Sequence, residues 1–398
     1  MVVGDKCVVG PVPLTSCEAA LSAAMAASGY APSSRVQAGR VLRQLCRWMD
    51  ERGGTVIGLT SELVDEYVAG RRHRRESTRW VNVVVGVLRD QGVIPLPDPP
   101  VLDAREMVVS EFRRWLVTER GLALESVRCY GSQAAKFLAC LPDPIEESLT
   151  GLNAAVSSFV VAEAQAAGSV WSAKAQVTAT RALLRFLHVQ GSIPASLTAA
   201  VPGVAGWRLA SLPRGLERGR VEALLGAHDL TTPVGVRDHA VLVVLARLGL
   251  RGGEVAALQL GDVDWRAGEV VVRGKAACVE RLPLPAEVGA ALAAYLTQGR
   301  PSCDCAALIV TARAPYRPLT SSAVRAIMRR ACRRAGLANV GAHRLRHSLA
   351  TDLLRAGAPL SEVGQVLRHR SELSTALYAK VDDASLRMLV RPWPGSSR

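Results

Sequence analysis

The chain has 398 residues, which is too long for one ordinary core, and we expect two or three domains of about 100 to 200 residues. Its hydrophobic content of 49% is sufficient to form their cores. Its 49 Lys and Arg against 35 Asp and Glu give a net charge of +14, which favours a polyanionic partner, most commonly nucleic acid, with a membrane surface as the alternative. No apolar run reaches the roughly 18 residues that a membrane-spanning helix needs, so we expect a soluble chain.

The cysteine content and the N-terminus both favour a cytoplasmic protein. Nine cysteines, an odd number scattered along the chain, predict reduced thiols instead of a disulfide framework. The first 30 residues resemble a signal peptide only weakly, because Asp5, two prolines and Glu18 interrupt the apolar stretch. We expect no signal sequence and no metal site.

Residues 33–94 have the apolar spacing of helices. Apolar side chains recur at three- and four-residue steps up to Gly53-Gly54, where the pattern stops, at Val36, Val41, Leu42, Leu45 and Trp48. A second helix is predicted to begin at Thr60 or Ser61, since either hydroxyl could cap it. The basic segment after this helix contains Arg71, Arg72, Arg74 and Arg75. It is either a solvated charged face or a DNA-binding element that contacts phosphates.

The pattern of the first helical segment recurs from Leu122. Leu149-Thr150 corresponds to Leu59-Thr60 at an offset of 90, and the Ile-Pro pair at 193 corresponds to the pair at 94 at an offset of 99. This order of landmarks predicts a duplicated helical domain. Proline-rich linkers at 95–100 and 202–214 divide the chain into an N-terminal helical domain, 1–100, a second helical domain, 101–212, and a catalytic domain, 213–398.

The third domain begins with a mostly apolar helix predicted at 238–248. Arg251 follows at the turn into a new helix, where backbone N–H groups favour an anion, and Glu254 lies one turn on and could orient the guanidinium. Alternating β-branched residues on each side of Lys275 predict a β-hairpin with this lysine at its bend. Taken alone, Arg251 could be an ordinary surface arginine and Lys275 an ordinary solvated lysine.

The segment from His343 to Tyr378 carries the strongest chemical signal. His343 and Arg346 lie one helical turn apart and project from one face, and His369 and Tyr378 follow on further short helices. His343 with His347 is a poor metal pair, because Arg344 stands where the zinc-protease pattern has Glu. Packing of Tyr378 in a core and a simple DNA-binding helix-turn-helix are the alternatives from these residues alone.

These residues occur in the order in which they occur in the tyrosine recombinases, the phage integrase family, which the C-terminal domain resembles from Gly215 onward. The matching motifs are G-L-R-x-x-E at 249–254, G-K at 274–275, H-x-L-R-H at 343–347, and a His followed by Tyr at 369 and 378. The resemblance implies a mainly α protein with a small β-sheet. Helical, SAM-like DNA-binding units would precede a mixed α/β catalytic domain.

The resemblance also implies a site-specific DNA recombinase or integrase that cleaves and rejoins DNA through a 3′-phosphotyrosyl intermediate. Tyr378 would be the nucleophile, and Arg251, Lys275, His343, Arg346 and His369 would complete the catalytic set. Glu254 would support Arg251. The implied partners are double-stranded DNA with specific recombination sites and three further copies of the chain in a tetramer. We expect no cofactor, and the sequence has no G-x-x-x-x-G-K-[ST] loop for ATP.

The sequence departs from the family pattern at two places. Arg368 stands where family members commonly have Gly before the second His, and we expect it to add a cation near the phosphate. The hairpin around Lys275 is less polar than usual. A catalytically inactive DNA-binding protein of the same fold and a type IB topoisomerase remain the alternative functions.

Overall fold

A computed structural model describes residues 14–97, 99, 101–152, 158, 159, 162, 166, 169–205, 215–274 and 279–368. The described chain is mostly helical with one three-stranded sheet, which confirms the predicted fold class. None of its described helices has the length and apolar character required to cross a membrane. The cysteines in the described ranges are free thiols.

Four described helices form the N-terminal part of the chain: α1 Leu14–Ala27, α2 Pro32–Asp50, α3 Ser61–His73 and α4 Arg79–Asp90. Their apolar faces share one core, in which Leu42, Leu45 and Leu59 are fully buried. The predicted start of α3 is confirmed at Thr60, whose hydroxyl accepts a hydrogen bond from the Leu63 N–H at 3.4 Å.

The next part contains α5 Ala104–Thr118, α6 Leu124–Ala139, α7 Ile145–Thr150 and α8 Val170–Val189. Asp103 begins α5 with a capping box, in which its side chain accepts from the Glu106 N–H and the Glu106 carboxylate accepts from the Asp103 N–H. Phe112, Phe137 and Phe186 are buried in the core of this part.

Helices α4 and α8 end in the same way. Gly92 and Gly191 follow these helices with φ of +67° and +74°, a region that glycine enters without steric strain. The next N–H groups, of Val93 and Ser192, bond back to helical carbonyls at 2.9 Å in both cases. Each turn is followed by a buried isoleucine of an Ile-Pro pair. Equivalent sequences therefore build equivalent helix ends.

Within the described ranges, the C-terminal part comprises helices and the sheet. The helices are α9 Arg218–Gly226, α10 Pro233–Arg247, α11 Gly252–Ala257, α12 Ala286–Ala294, α13 Ser321–Arg334, α14 His343–Arg355 and α15 Leu360–Val366, and α12 continues as a π-helical turn, Tyr295–Gly299. The antiparallel sheet has the order β1 Val263–Asp264, β2 Glu269–Arg273 and β3 Val279–Pro283. β2 pairs with β3 from Glu269 opposite Pro283 to Arg273 opposite Val279, which confirms the predicted hairpin.

Helix α10 lies at the centre of this part, and it begins five residues before the predicted Asp238. Every residue from Ala240 to Leu245 is buried, so this stretch of the helix is enclosed on all sides. The carboxylate of Asp238 is fully buried and pairs with Arg237 at 2.6 Å and with Arg330 of α13 at 3.0 Å. A buried charge needs such partners, so this cluster ties α10 to α13.

By its contacts the chain groups into two compact units, Asp98–Ser211 and the remaining residues. Separate clusters of buried hydrophobic residues lie within 17–94, 109–201, 216–345 and 350–367. The division into domains at residues 100 and 212 stays a prediction.

Candidate active site

Arg251 lies at the start of α11, and Glu254 orients it as predicted. The Glu254 carboxylate accepts from the Arg251 backbone N–H at 2.8 Å and from its guanidinium Nη1 at 2.7 Å. Glu254 is buried, whereas 46% of the Arg251 side chain is exposed. Glu254 therefore holds one edge of the Arg251 guanidinium, and the exposed part of the group is open to a ligand.

Glu254 also binds Arg368, which lies two residues after the end of α15. The second guanidinium donates to Glu254 Oε2 at 2.7 Å. Burial would raise the pKa of the Glu254 carboxyl, but the hydrogen bonds from Arg251 and Arg368 outweigh it and hold that pKa below its ordinary value. Glu254 is thus ionised at neutral pH and shared by two cations.

Arg368 reaches this position through an unusual backbone conformation. Its φ is +55°, in the left-handed region where a side chain costs about 1 to 2 kcal/mol. Its guanidinium also lies 3.7 Å from Glu280 of β3, and only 5% of the side chain is exposed. The expected cation near the site is present, but two acids balance its charge.

Arg346 lies on the first turn of α14 and is completely buried. Its guanidinium donates to the carbonyl of Gly249 at 2.7 Å and to the carbonyl of Leu367. Gly249 has a φ of +59°, and an added Cβ would lie 3.0 Å from Leu349 and Leu367 side-chain atoms. Arg346 therefore links the turn before Arg251 to the residue before Arg368.

His343 is the first residue of α14 and keeps part of its surface exposed. Packing around the rest of the ring lowers the pKa of His343, and the positive charges of Arg346 and Arg251 lower it further. His347 lies one turn on, with ring centroids 4.5 Å apart, and burial beside His343 lowers its pKa to about 4. Both rings are neutral at pH 7. Within the described ranges, no three His, Cys, Asp or Glu side chains are grouped to hold a metal.

The hairpin is held next to its bend by a contact that was not predicted from the sequence. Arg273, the last residue of β2, donates to the buried carboxylate of Asp262 at 2.6 Å. In the sequence, only the position of Asp262 directly before β1 could have pointed to this contact. Lys275, His369 and Tyr378 lie outside the described residues, so their predicted positions remain expectations.

The predicted DNA-binding arginines of the N-terminal part do not behave alike. Arg71 is buried and donates to Gln44 at 2.8 Å and to the Ser77 carbonyl at 3.2 Å, with Glu76 as its ion-pair partner. Its guanidinium is used inside the fold, so a phosphate contact by Arg71 would require these partners to give way. Arg72, Arg74 and Arg75 are exposed.

Comparison with known proteins identifies the same region. The model of the Phage integrase family matches residues 215–385. The chain is 37% identical over 360 residues to the protein y4rA of Sinorhizobium fredii, which is named as a putative integrase/recombinase, and the match covers 88% of this chain and 87% of that protein. It is 32% identical to the tyrosine recombinase XerD of Mycobacterium tuberculosis over 71% of this chain and 94% of XerD.

A solved structure has a similar fold. The crystal structure of a lambda integrase tetramer bound to a Holliday junction matches 80% of this chain and 89% of that one, with a TM-score of 0.51 and 18% sequence identity.

The lowered pKa values of the two histidines make the stability of the protein depend on pH. The folded pKa values of His343 and His347 lie below the ordinary value of 6.5, so the unfolded chain binds these protons more readily. Their contribution to stability is complete above pH 6.5. It is lost progressively as the pH falls below 6.5 toward the folded pKa of His347, about 4.

We expect urea unfolding of the full chain to show a free energy of unfolding that decreases over this range. The variant His347→Gln should show a smaller decrease, because the unfolded state of this variant has one fewer group to protonate. Equal decreases in the two proteins would contradict the assignment.

Proposed function

This chain belongs to the phage integrase family, and we propose that it is a site-specific DNA recombinase that cuts and rejoins DNA through a 3′-phosphotyrosyl intermediate. The observation that carries the proposal is the half-exposed guanidinium of Arg251, fixed by buried Glu254 beside a neutral His343. Such a site can bind a phosphodiester and accept a proton next to it.

Tyr378 is the proposed nucleophile. A phenol has a pKa of about 10, so at neutral pH its oxygen needs a proton acceptor before it can attack phosphorus. Burial, together with the charges of Arg346 and Arg251, lowers the pKa of His343 and keeps its ring unprotonated before the reaction, so the ring is free to accept this proton. Its neutral state at pH 7 is what the role requires.

The attack builds negative charge on the non-bridging oxygens of the phosphate. Arg251 can contact these oxygens directly, and Arg346 contributes positive charge from within the protein. Direct contact by Arg346 requires the packing around its buried guanidinium to open. His369 would donate a hydrogen bond to a phosphate oxygen, and Lys275 would protonate the leaving 5′ oxygen.

The protein itself supplies the charge that this reaction needs, so the proposed mechanism uses neither a metal ion nor ATP. The phosphotyrosyl bond keeps the energy of the broken phosphodiester, and the free 5′ hydroxyl of a DNA strand can attack it to rejoin the backbone. Cleavage and rejoining are therefore the same exchange run in two directions.

The proposed partner is double-stranded DNA with specific recombination sites, bound by a homotetramer. The net charge of +14 supports a DNA partner, and the similar lambda integrase structure is a tetramer on a DNA junction. A DNA substrate agrees with the cytoplasmic location expected from the sequence. No described feature favours an inactive DNA-binding protein or a type IB topoisomerase.

Covalent trapping from a random pool tests the proposal and identifies the target sequence in the same experiment. The full chain is incubated, in buffer with EDTA and without ATP, with a pool of nicked duplexes of random sequence, and DNA attached to denatured protein is recovered and sequenced. We expect enrichment of a defined sequence. Tyr378→Phe should bind the enriched duplex with unchanged affinity and form no adduct, because only the phenolic oxygen is lost.

An adduct that survives in Tyr378→Phe would remove this tyrosine as the nucleophile. If the wild-type chain binds the pool but forms no adduct with any duplex, the chain is an inactive DNA-binding protein.

The exposed arginines after α3 are proposed to contact DNA phosphates. Each neutralised phosphate contributes about −0.9 to the slope of log affinity against log salt concentration. Replacing Arg72, Arg74 and Arg75 together by Gln should therefore make the slope for duplex DNA shallower by about 1 to 3.

The matched control is Arg71→Gln, which should lower thermal stability and leave the slope unchanged, because Arg71 is buried. An unchanged slope in the triple variant would show that the exposed arginines form a solvated face. Fluorescence anisotropy at several salt concentrations measures both slopes.

A further inference from the structure

Arg368 occupies a position where its backbone conformation favours glycine. Its φ of +55° is strained for a side chain, and one other non-glycine residue among those described, Arg75, shares this property. Arg75 is exposed, whereas the side chain of Arg368 is buried and its guanidinium faces two acids. The strain at Arg368 therefore accompanies specific contacts, which indicates that the side chain has a role.

The two acids come from elements that are distant in the sequence. Glu254 of α11 lies 2.7 Å from the Arg368 guanidinium, and Glu280 of β3 lies 3.7 Å from it. Arg368 itself follows α15 and directly precedes His369 in the sequence. One side chain thus connects the start of α11, the hairpin and the segment that leads to His369.

Each connected segment carries a residue of the proposed reaction. Glu254 orients Arg251, and β3 is one arm of the hairpin whose bend contains Lys275 in the sequence. We propose that Arg368 is a positioning residue for DNA cleavage, holding α11 and the hairpin together so that Arg251 and Lys275 act on one phosphate. This inference rests on the proposed function.

The sharing of Glu254 has an electrostatic consequence as well. A carboxylate paired with one guanidinium directs its whole negative charge against that cation and weakens its attraction for a phosphate. Arg368 takes part of this charge, since Glu254 Oε2 accepts from it while Oε1 accepts from Arg251. Removing Arg368 would therefore both loosen the hairpin and make Arg251 a weaker partner for phosphate oxygens.

The test compares Arg368→Gly, which also relieves the backbone strain, with Arg368→Lys, which keeps the charge but loses the planar fork. The single-turnover rate of adduct formation is measured at saturating concentrations of the nicked duplex enriched by the wild-type chain. Arg368→Gly should lower this rate by about 10- to 100-fold, as expected for misplaced catalytic groups, and change the Kd by less than about twofold. Arg368→Lys should recover part of the rate.

Two further variants separate positioning from other roles. Glu280→Gln should slow adduct formation, and adding it to Arg368→Gly should cause no further loss, because both changes break the same contact. Arg266→Gly is the control: this exposed residue lies in the turn at the opposite end of β2, and its replacement should leave the rate unchanged.

An unchanged rate in Arg368→Gly would overturn the inference while leaving the proposed function intact. If Arg368→Gly raises the Kd and its rate equals that of the wild-type chain at saturating DNA, Arg368 contacts DNA directly. If the rate losses of Arg368→Gly and Glu280→Gln multiply in the double variant, Arg368 does not act through Glu280. If Arg368→Gly does not fold, as judged by thermal melting, the rates of Arg368→Lys and Glu280→Gln decide, and wild-type rates in both would refute the inference. Absence of any adduct with the wild-type chain would instead refute the proposed function.

Discussion

The site depends on one buried carboxylate that cannot remain unpaired. Glu254 is 7% exposed, and a buried charge that loses its partner destabilises a protein by about 3 to 5 kcal/mol. Its partners are Arg251, three residues away on the same turn, and Arg368, which is 114 residues away along the chain. Pairing Glu254 therefore fixes the orientation of Arg251 and brings the segment after α15 against α11. The contacts that stabilise this part of the fold also position the residues of the site.

The surrounding charges follow from this arrangement. Burial and the charges of Arg346 and Arg251 disfavour protonation of His343, while the charge of Arg368 is balanced by Glu254 and Glu280. The site thus keeps positive charge where a phosphate would lie and a neutral imidazole where a proton must be accepted. Arg346 contributes as a buried cation bonded to backbone carbonyls, which places its charge without exposing it.

Local features were predictable from the sequence because local chemistry determines them. Thr60 caps α3, Gly92 and Gly191 end equivalent helices, the residues around Lys275 pair as a hairpin, and Glu254 reaches Arg251 across one helical turn. The contacts that could not be predicted from the sequence join separate segments. Arg71 belongs to an arginine-rich run that looks solvated, yet Gln44 of α2 and Glu76 bind it inside the fold. Neither the pairing of Arg368 with Glu280 nor the burial of Arg346 has a signal in the spacing of residues, since both depend on how helices and sheet pack.

In the proposed reaction, Tyr378 becomes bonded to the 3′ phosphate of the cut DNA strand. Mass spectrometry of the trapped adduct tests this claim most directly, after digestion with protease and nuclease. We predict a peptide that contains Tyr378 and carries a nucleotide through its 3′ phosphate, with a free 5′ hydroxyl on the other DNA end. Attachment through a 5′ phosphate, or to a residue other than Tyr378, would contradict it.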